Sequence, residues 1–288
     1  MPDSVAALVL GAGSGTRLRP LSAIKPKVLC PVGGVPLLER AMARVAPLVA
    51  AVAVNARYHV DAIAEQVGGR AFVSDERRYP DELGTGGAIG ALRPWLDGRG
   101  VLVVNGDTWT DVDLGPLLDG WDGDRVRVLV HGPDGTPLVP AEAWARLREA
   151  NAGLPPGAPW PARPVPGAAR VVASLVPAAD AERLPPVPLG LSNGLWWPAM
   201  ANQRLEVVAG AGTLVSCDTP GAYLAANLLV SGGRSVVAEG AVVDGEIERC
   251  VVWPGGVVRS GEQLVDAIRC DRRVTVLVRR RQSAFSAQ

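Results

Sequence analysis

Val5 to Leu10 is an unbroken apolar run that ends in Gly11-Ala12-Gly13-Ser14-Gly15, the pattern of a strand buried on both faces. After the loop the period changes. Leu37, Leu38, Ala41, Met42 and Val45 recur at helical spacing, Val49 to Val54 reads as a second buried strand, and Val60, Ile63, Ala64 and Val67 mark the apolar face of another helix. Ala71 to Ser74 reads as a short strand, Gly84 to Leu92 as a helix and Val101 to Val104 as a strand. Strand and helix alternate through short connections, which predicts an α/β fold whose sheet is mostly parallel and covered on both faces. Ligands of such sheets sit beyond the carboxyl ends of the strands, so the loops after Leu10 and Val104 are expected to line one crevice.

The pattern breaks over residues 131–190, which hold 13 of the 25 prolines and predict irregular structure with one strand near Val171 to Val176. Beyond Gly232-Gly233, short β-branched pairs alternate with glycines. This predicts about two coils of a left-handed β-helix, or failing that a small β meander. The expected division is a main domain over 1–231 and a tail over 232–288.

Composition narrows the function. Apolar residues make up 48% of the 288 positions, and 29 basic side chains balance 29 acidic ones, which argues for a globular protein and against a nucleic-acid partner. No apolar run approaches the ~20 residues of a membrane helix, and a cytoplasmic location without membrane partners is expected. Cys30, Cys217, Cys250 and Cys270 form no CxxC pair and read as reduced structural thiols. With only His59 and His131, a histidine-rich zinc site is excluded by count. His59 reads as packing or capping at its helix start and His131 as part of a polar loop. Of the 29 basic residues only Lys25 and Lys27 are lysine, and both directly follow the glycine loop. A position that demands a compact ammonium explains that survival, and Lys27 is the better candidate.

The segment from Leu10 to Val32, LGAGSGTRLRPLSAIKPKVLCPV, carries the chemistry. Its glycines do not keep dinucleotide spacing, no GKS or GKT follows, and Arg17, Pro20, Pro26 and Pro31 oppose an immediate helix. The physical reading is a glycine-lined turn facing a triphosphate. Arg17 supplies a fork for phosphate oxygens, and Lys27 supplies a point charge.

These residues resemble the signature of the sugar-1-phosphate nucleotidyltransferases: Gly-x-Gly-Thr-Arg-x-x-Pro-Leu, then Pro-Lys, then Pro-Val. VNARYHVDAI, DELGTGGAIGAL and VLVVNGDTWTDVDL resemble further segments of that family, in order, over about the first 115 residues. The GTGGA variety looks most like mannose-1-phosphate guanylyltransferase members. The resemblance implies a Rossmann-like domain, a magnesium cofactor, and a reaction joining a nucleoside triphosphate to a sugar 1-phosphate, with GTP and a mannose 1-phosphate-like sugar favoured. Leu8, Gly11, Ala12, Gly13, Gly15, Thr16, Arg17, Lys27, Glu82, Gly84 and Gly87 are then expected to bind nucleotide, and Gly106 and Asn193 the sugar. Arg17, Lys27 and Asp107 are expected to be catalytic.

Asp107 also stands out unaided, three residues past Val104 at the crevice end of a central strand; the competing reading is that it merely caps the following turn, as Asp111 and Asp113 equally could. The family's second metal-binding aspartate falls on Ser216, its glycine on Asp218, and Thr219, Pro220 and Tyr223 keep the register. Asp218 is therefore a candidate rescue ligand for magnesium beside Asp107, and a capping role before the next helix is the competing reading. The family's sugar-phosphate lysine is missing, with Arg170 a possible substitute; Trp196 and Trp197 fit either a sugar pocket or the core. A catalytically lapsed relative that binds nucleotide or NDP-sugar and regulates a partner is the alternative, a cytidylyl- or molybdopterin-type nucleotidyltransferase the second, and self-association through the tail a further expectation.

Overall fold

The computed structural model describes residues 4–131 and 170–278. Seven strands form its main sheet: β1 (Val5–Leu10), β2 (Ala51–Ala56), β3 (Phe72–Asp75), β4 (Gly100–Asn105), β5 (Val126–His131), β6 (Arg170–Val176) and β7 (Leu205–Gly210). Their order is β7-β5-β6-β4-β1-β2-β3. β1 runs parallel to β2 and β4, β2 to β3, and β5 to β7, while β6 lies antiparallel to β4 and β5. The mixed, mostly parallel α/β sheet expected from the apolar runs is present, and Ala6, Leu8, Ala53, Val101 and Val103 are buried in its core. Continuous apolar runs arise because helices cover such strands on both faces.

Element boundaries differ slightly from the sequence pattern. The helix after Gly84 runs on to Leu96, through Pro94 in its last turn, and β2 begins at Ala51. The helices Leu37–Val45 and Val60–Val67 follow their apolar stripes. His59 occupies the N-cap position of the second with a left-handed φ of 54°; its carbonyl accepts from Ile63 N at 3.1 Å, while its side chain makes no cap bond. The polar loop expected around His131 is not what forms. His131 ends β5 as a buried residue whose Nε2 donates to Gly212 O at 2.7 Å. Residues 132–169, where the prolines predict irregular structure, lie outside the described residues.

By contact density the chain divides into a sheet unit (Met1–Ser14 with Leu38–Leu214) and a tail unit (Gly15–Leu37 with Val215–Gln288). In the tail unit, short parallel pairs stack on three faces: Val236–Val237 on Val251–Val252 on Ile268–Arg269, Val242–Val243 on Val257–Val258, and Glu246–Glu248 on Gln263–Val265. That stacking is consistent with the β-helix-like tail read from the glycine-spaced valine pairs. The helix Pro220–Val230 fastens residues 15–37 within this unit. Tyr223 OH donates to Pro31 O, Gly33 N donates to Asn227 Oδ1 at 3.0 Å, and Trp253 Nε1 donates to Tyr223 OH at 2.9 Å. All four cysteines are free and buried, as expected of structural thiols, and burial pushes Cys30 and Cys270 up to about 12. Among the described residues no helix is long and apolar enough to cross a membrane.

Candidate active site

Within the sheet unit, the carboxyl ends of β1, β2 and β4 open onto a cavity of about 250 Å³, where the strand pattern placed the crevice. Leu10, Ala12, Gly13, Asn55, Glu82, Gly84, Asn105 and Asp107 are among its lining residues. Two strand ends approach closely here. Gly106 N donates to Leu10 O at 3.0 Å, and a Cβ on Gly106 would come within 2.6 Å of that oxygen. Glycine at 106 therefore lets Asp107 reach the cavity wall, and Thr108 Oγ1 donates to Asp107 Oδ1 at 3.3 Å. Asp111 accepts from Thr213 N at 2.5 Å, holding the distant strand-end segment, and Asp113 accepts from Gly115 N at 2.9 Å in the following turn. Asp107 alone of the three lines the cavity.

The glycine loop divides its labour. Gly11 N is taken by Asn55 Oδ1 at 2.9 Å, so that amide holds the loop to β2. A Cβ on Gly13 would meet nothing within 4 Å, so the glycine there keeps space open. Neither Asn55 nor Glu76 stood out in the sequence. Asn55 Nδ2 donates to Glu76 Oε1 at 2.8 Å, both side chains are buried, and Glu76 also lines the cavity. Burial pushes the Glu76 carboxyl above its usual range, against the pull of Asn55 and Arg57. The signal for Asn55 was a lone polar residue in an apolar strand.

The glycines of GTGGAIG serve packing more than the cavity. Gly86 and Gly87 donate their amides to Leu189 O at 2.8 and 3.2 Å, and a Cβ on Gly87 would lie 2.1 Å from Val187 O. Gly84 lines the cavity with φ +65°, a conformation that favours glycine. Gly87 does not line it, nor does Leu8, which is fully buried inside β1. Asn193 sits in a π-helical turn, Ser192–Trp196, and Trp196 packs on the core. Arg170 is exposed at the start of β6.

Within the tail unit, the segment after the loop is broken as its prolines predicted: a 3₁₀ turn Thr16–Leu18, a short helix Leu21–Ile24 and a 3₁₀ turn Lys27–Leu29. Gly15 takes φ 63°, and a Cβ there would press to 3.2 Å on both Lys27 Cβ and Ser22 Cβ. Lys27 is only 8% exposed. Its Nζ donates to Asp218 Oδ1, Arg17 Nη2 reaches the same oxygen at 3.1 Å, and Ser216 Oγ donates to Asp218 Oδ2 at 2.6 Å. Burial would raise the Asp218 carboxyl, but Lys27, Ser216 and Arg17 outweigh it and hold it below the usual carboxylate range. The helix cap is Thr219, whose Oγ1 accepts from Ala222 N at 3.2 Å, so capping is not what Asp218 does. Lys25, by contrast, is only half-buried.

Magnesium keeps several waters and takes one or two carboxylates plus phosphate oxygens, so it asks for few protein ligands. Asp107 on a cavity wall fits that demand. Among the described residues no cluster of three or more His, Cys, Asp or Glu could hold a metal by itself.

Residues 7–173 match the MobA-like NTP transferase domain. The chain is 34% identical over 131 residues to mannose-1-phosphate guanylyltransferase of Mycobacterium tuberculosis, covering 44% of this chain and 36% of that one. It is 35% identical over 137 residues to N-acetylmuramate alpha-1-phosphate uridylyltransferase of Caulobacter vibrioides, covering 43% and 56%. The alignments thus span between about a third and just over half of these relatives' lengths. Among solved structures, mannose-1-phosphate geranyltransferase from Thermus thermophilus shares the fold, with a TM-score of 0.61, 20% identity and 95% of each chain covered. A family match over more than half of the chain, on a cavity built at the strand ends, makes this protein a member of the MobA-like NTP transferase domain family.

Proposed function

We propose that the protein is a sugar-1-phosphate nucleotidyltransferase that joins a nucleoside triphosphate to a sugar 1-phosphate and releases pyrophosphate. The observation that carries this reading is Asp107 on the wall of a cavity bounded by the glycine loop and the Gly84 helix start. A sugar-phosphate oxygen attacks the α-phosphorus. It is already anionic near neutral pH, so the absence of histidine from the cavity lining is no obstacle. The protein's contribution is alignment and charge neutralisation. Asp107 is the cavity carboxylate proposed to hold magnesium, which would neutralise charge on phosphate oxygens, and Asp218, within its own unit, is the second candidate ligand read from the sequence. Lys27 and Arg17 are proposed to bind phosphate oxygens, and Glu82 and Gly84 to border base and ribose. In this reading residues 1–231 carry the reaction and 232–288 are an appended tail. GTP with a mannose 1-phosphate-like sugar is favoured, supported by the guanylyltransferase likeness.

A lapsed, nucleotide-binding regulator is the second reading, favoured by Ser216 at the second aspartate position. Pyrophosphate release, assayed with four triphosphates against a panel of sugar 1-phosphates and magnesium, separates the two. The enzyme reading expects release with at least one pair; triphosphate binding without release from any pair supports the regulator.

A further inference from the structure

We propose that Arg57 is a positioning residue for nucleotide selection, fixing the loop Glu76–Asp81 that carries Glu76 on the cavity wall and leads to Glu82 there; this rests on the nucleotidyltransferase reading above. The loop leaves β3 through a 3₁₀ turn, Glu76–Arg78, and enters the Gly84 helix after Pro80, so most of its carbonyls have no ladder to join. Four of them converge on one guanidinium. Arg57 Nη1 donates to Glu76 O, Tyr79 O and Asp81 O at 3.1, 3.0 and 3.0 Å, and Nη2 donates to Pro80 O at 2.9 Å.

Arginine suits this task because two nitrogens span the four carbonyls, the two hydrogens of Nη1 being shared among three acceptors and Nη2 taking the fourth. Its planar fork presents five N–H donors in fixed directions, whereas lysine has one nitrogen. Asn55, two residues earlier at the same strand end, holds the Glu76 side chain, so β2 grips the loop at both backbone and side chain. Arg57, Glu76 and Glu82 all line the cavity. Glu76 is itself buried and lines the cavity, so the grip on its backbone and side chain fixes a carboxylate beside the cavity. Selection between bases relies on such groups being held in place, since a site discriminates when the wrong ligand leaves them unpaired. Releasing the loop removes that penalty while leaving the sheet intact.

The test uses the whole protein with Arg57→Ala and Arg57→Lys. Calorimetric titration with each of four triphosphates and magnesium is paired with limited trypsin digestion, because Arg77 and Arg78 provide cleavage sites in the loop. Arg57→Ala is expected to weaken the preferred triphosphate by about tenfold, to narrow the preference among bases, and to speed cleavage after Arg77 or Arg78 by about tenfold, with Tm unchanged. Arg57→Lys should lie between Arg57→Ala and the native protein. Unchanged selectivity and cleavage in Arg57→Ala, or an equal loss for all four triphosphates alongside a fallen Tm, would overturn the proposal. A native protein that binds none of the four contradicts the nucleotidyltransferase reading itself, whereas native selectivity that survives Arg57→Ala contradicts only the role of Arg57.

Discussion

In the sheet unit the cavity lining carries Glu76, Glu82 and Asp107 against a single arginine, Arg57. In the tail unit Arg17 and Lys27 instead crowd onto one carboxylate, Asp218. The buried carboxylates record the contrast. Glu76 takes the Asn55 amide as side-chain partner among the described residues, and burial outweighs that bond and the pull of Arg57, so its proton is held more tightly than usual. Asp218 has two cations and a hydroxyl, and they win over burial. An acidic cavity wall suits ligand donors and a cation. A neutralised cluster keeps its carboxylate ionised and its two cations paired.

The largest expected effect breaks the acidic side. Asp107→Asn keeps shape but removes the charge, and turnover with magnesium should fall on the order of 10³-fold in a pyrophosphate-release assay, with Tm little changed. Asp218→Ala should cost about 10²-fold, and adding Ser216→Asp should return part of that activity. Intact turnover in Asp218→Ala would reduce its cluster to a structural ion pair. Lys27→Arg should lose about tenfold despite conserving charge, because Lys27 is buried against Gly15 and Ser22 and a guanidinium is larger and planar. Lys25→Arg should stay within about twofold, since Lys25 is half-buried.

The smallest effect concerns stability against pH, and its sign differs between the two acids. The depressed carboxyl of Asp218 contributes stability that is fully present above the unfolded value of about 3.9 and is lost as pH falls through its lower folded value. Glu76, raised by burial, acts oppositely: its ionised form costs stability, and the cost is relieved as pH falls through its raised folded value. Asp218→Asn should therefore flatten the acid limb of Tm against pH, and Glu76→Gln should steepen it. The same sign in both variants would contradict the contrast between the two carboxylates.

Legibility in the sequence followed the same division. The strands, the helices and the crevice could be read because apolar runs and stripes report burial directly, and Asp107 could be read because a strand end gives an address. Asn55 and Arg57 escaped notice because their work is to hold a neighbouring loop, and loop carbonyls leave no periodic trace. The GTGGA glycines drew attention as ligand contacts, yet Gly86 and Gly87 are small because residues 187–189 pack on them. For Asp218 the sequence leaves metal ligand and helix cap in balance. Only the structure shows Thr219 taking the cap and Lys27 taking Asp218, a pairing 191 residues apart along the chain.

The central claim is nucleotidyl transfer onto a sugar phosphate, and oxygen labelling tests it most directly. With sugar 1-phosphate carrying ¹⁸O on its phosphate, mass spectrometry should find an NDP-sugar that retains all of the label and pyrophosphate that carries none, with both products lost in Asp107→Asn. Label appearing in pyrophosphate or inorganic phosphate, or no NDP-sugar from any pair of substrates, would contradict the account.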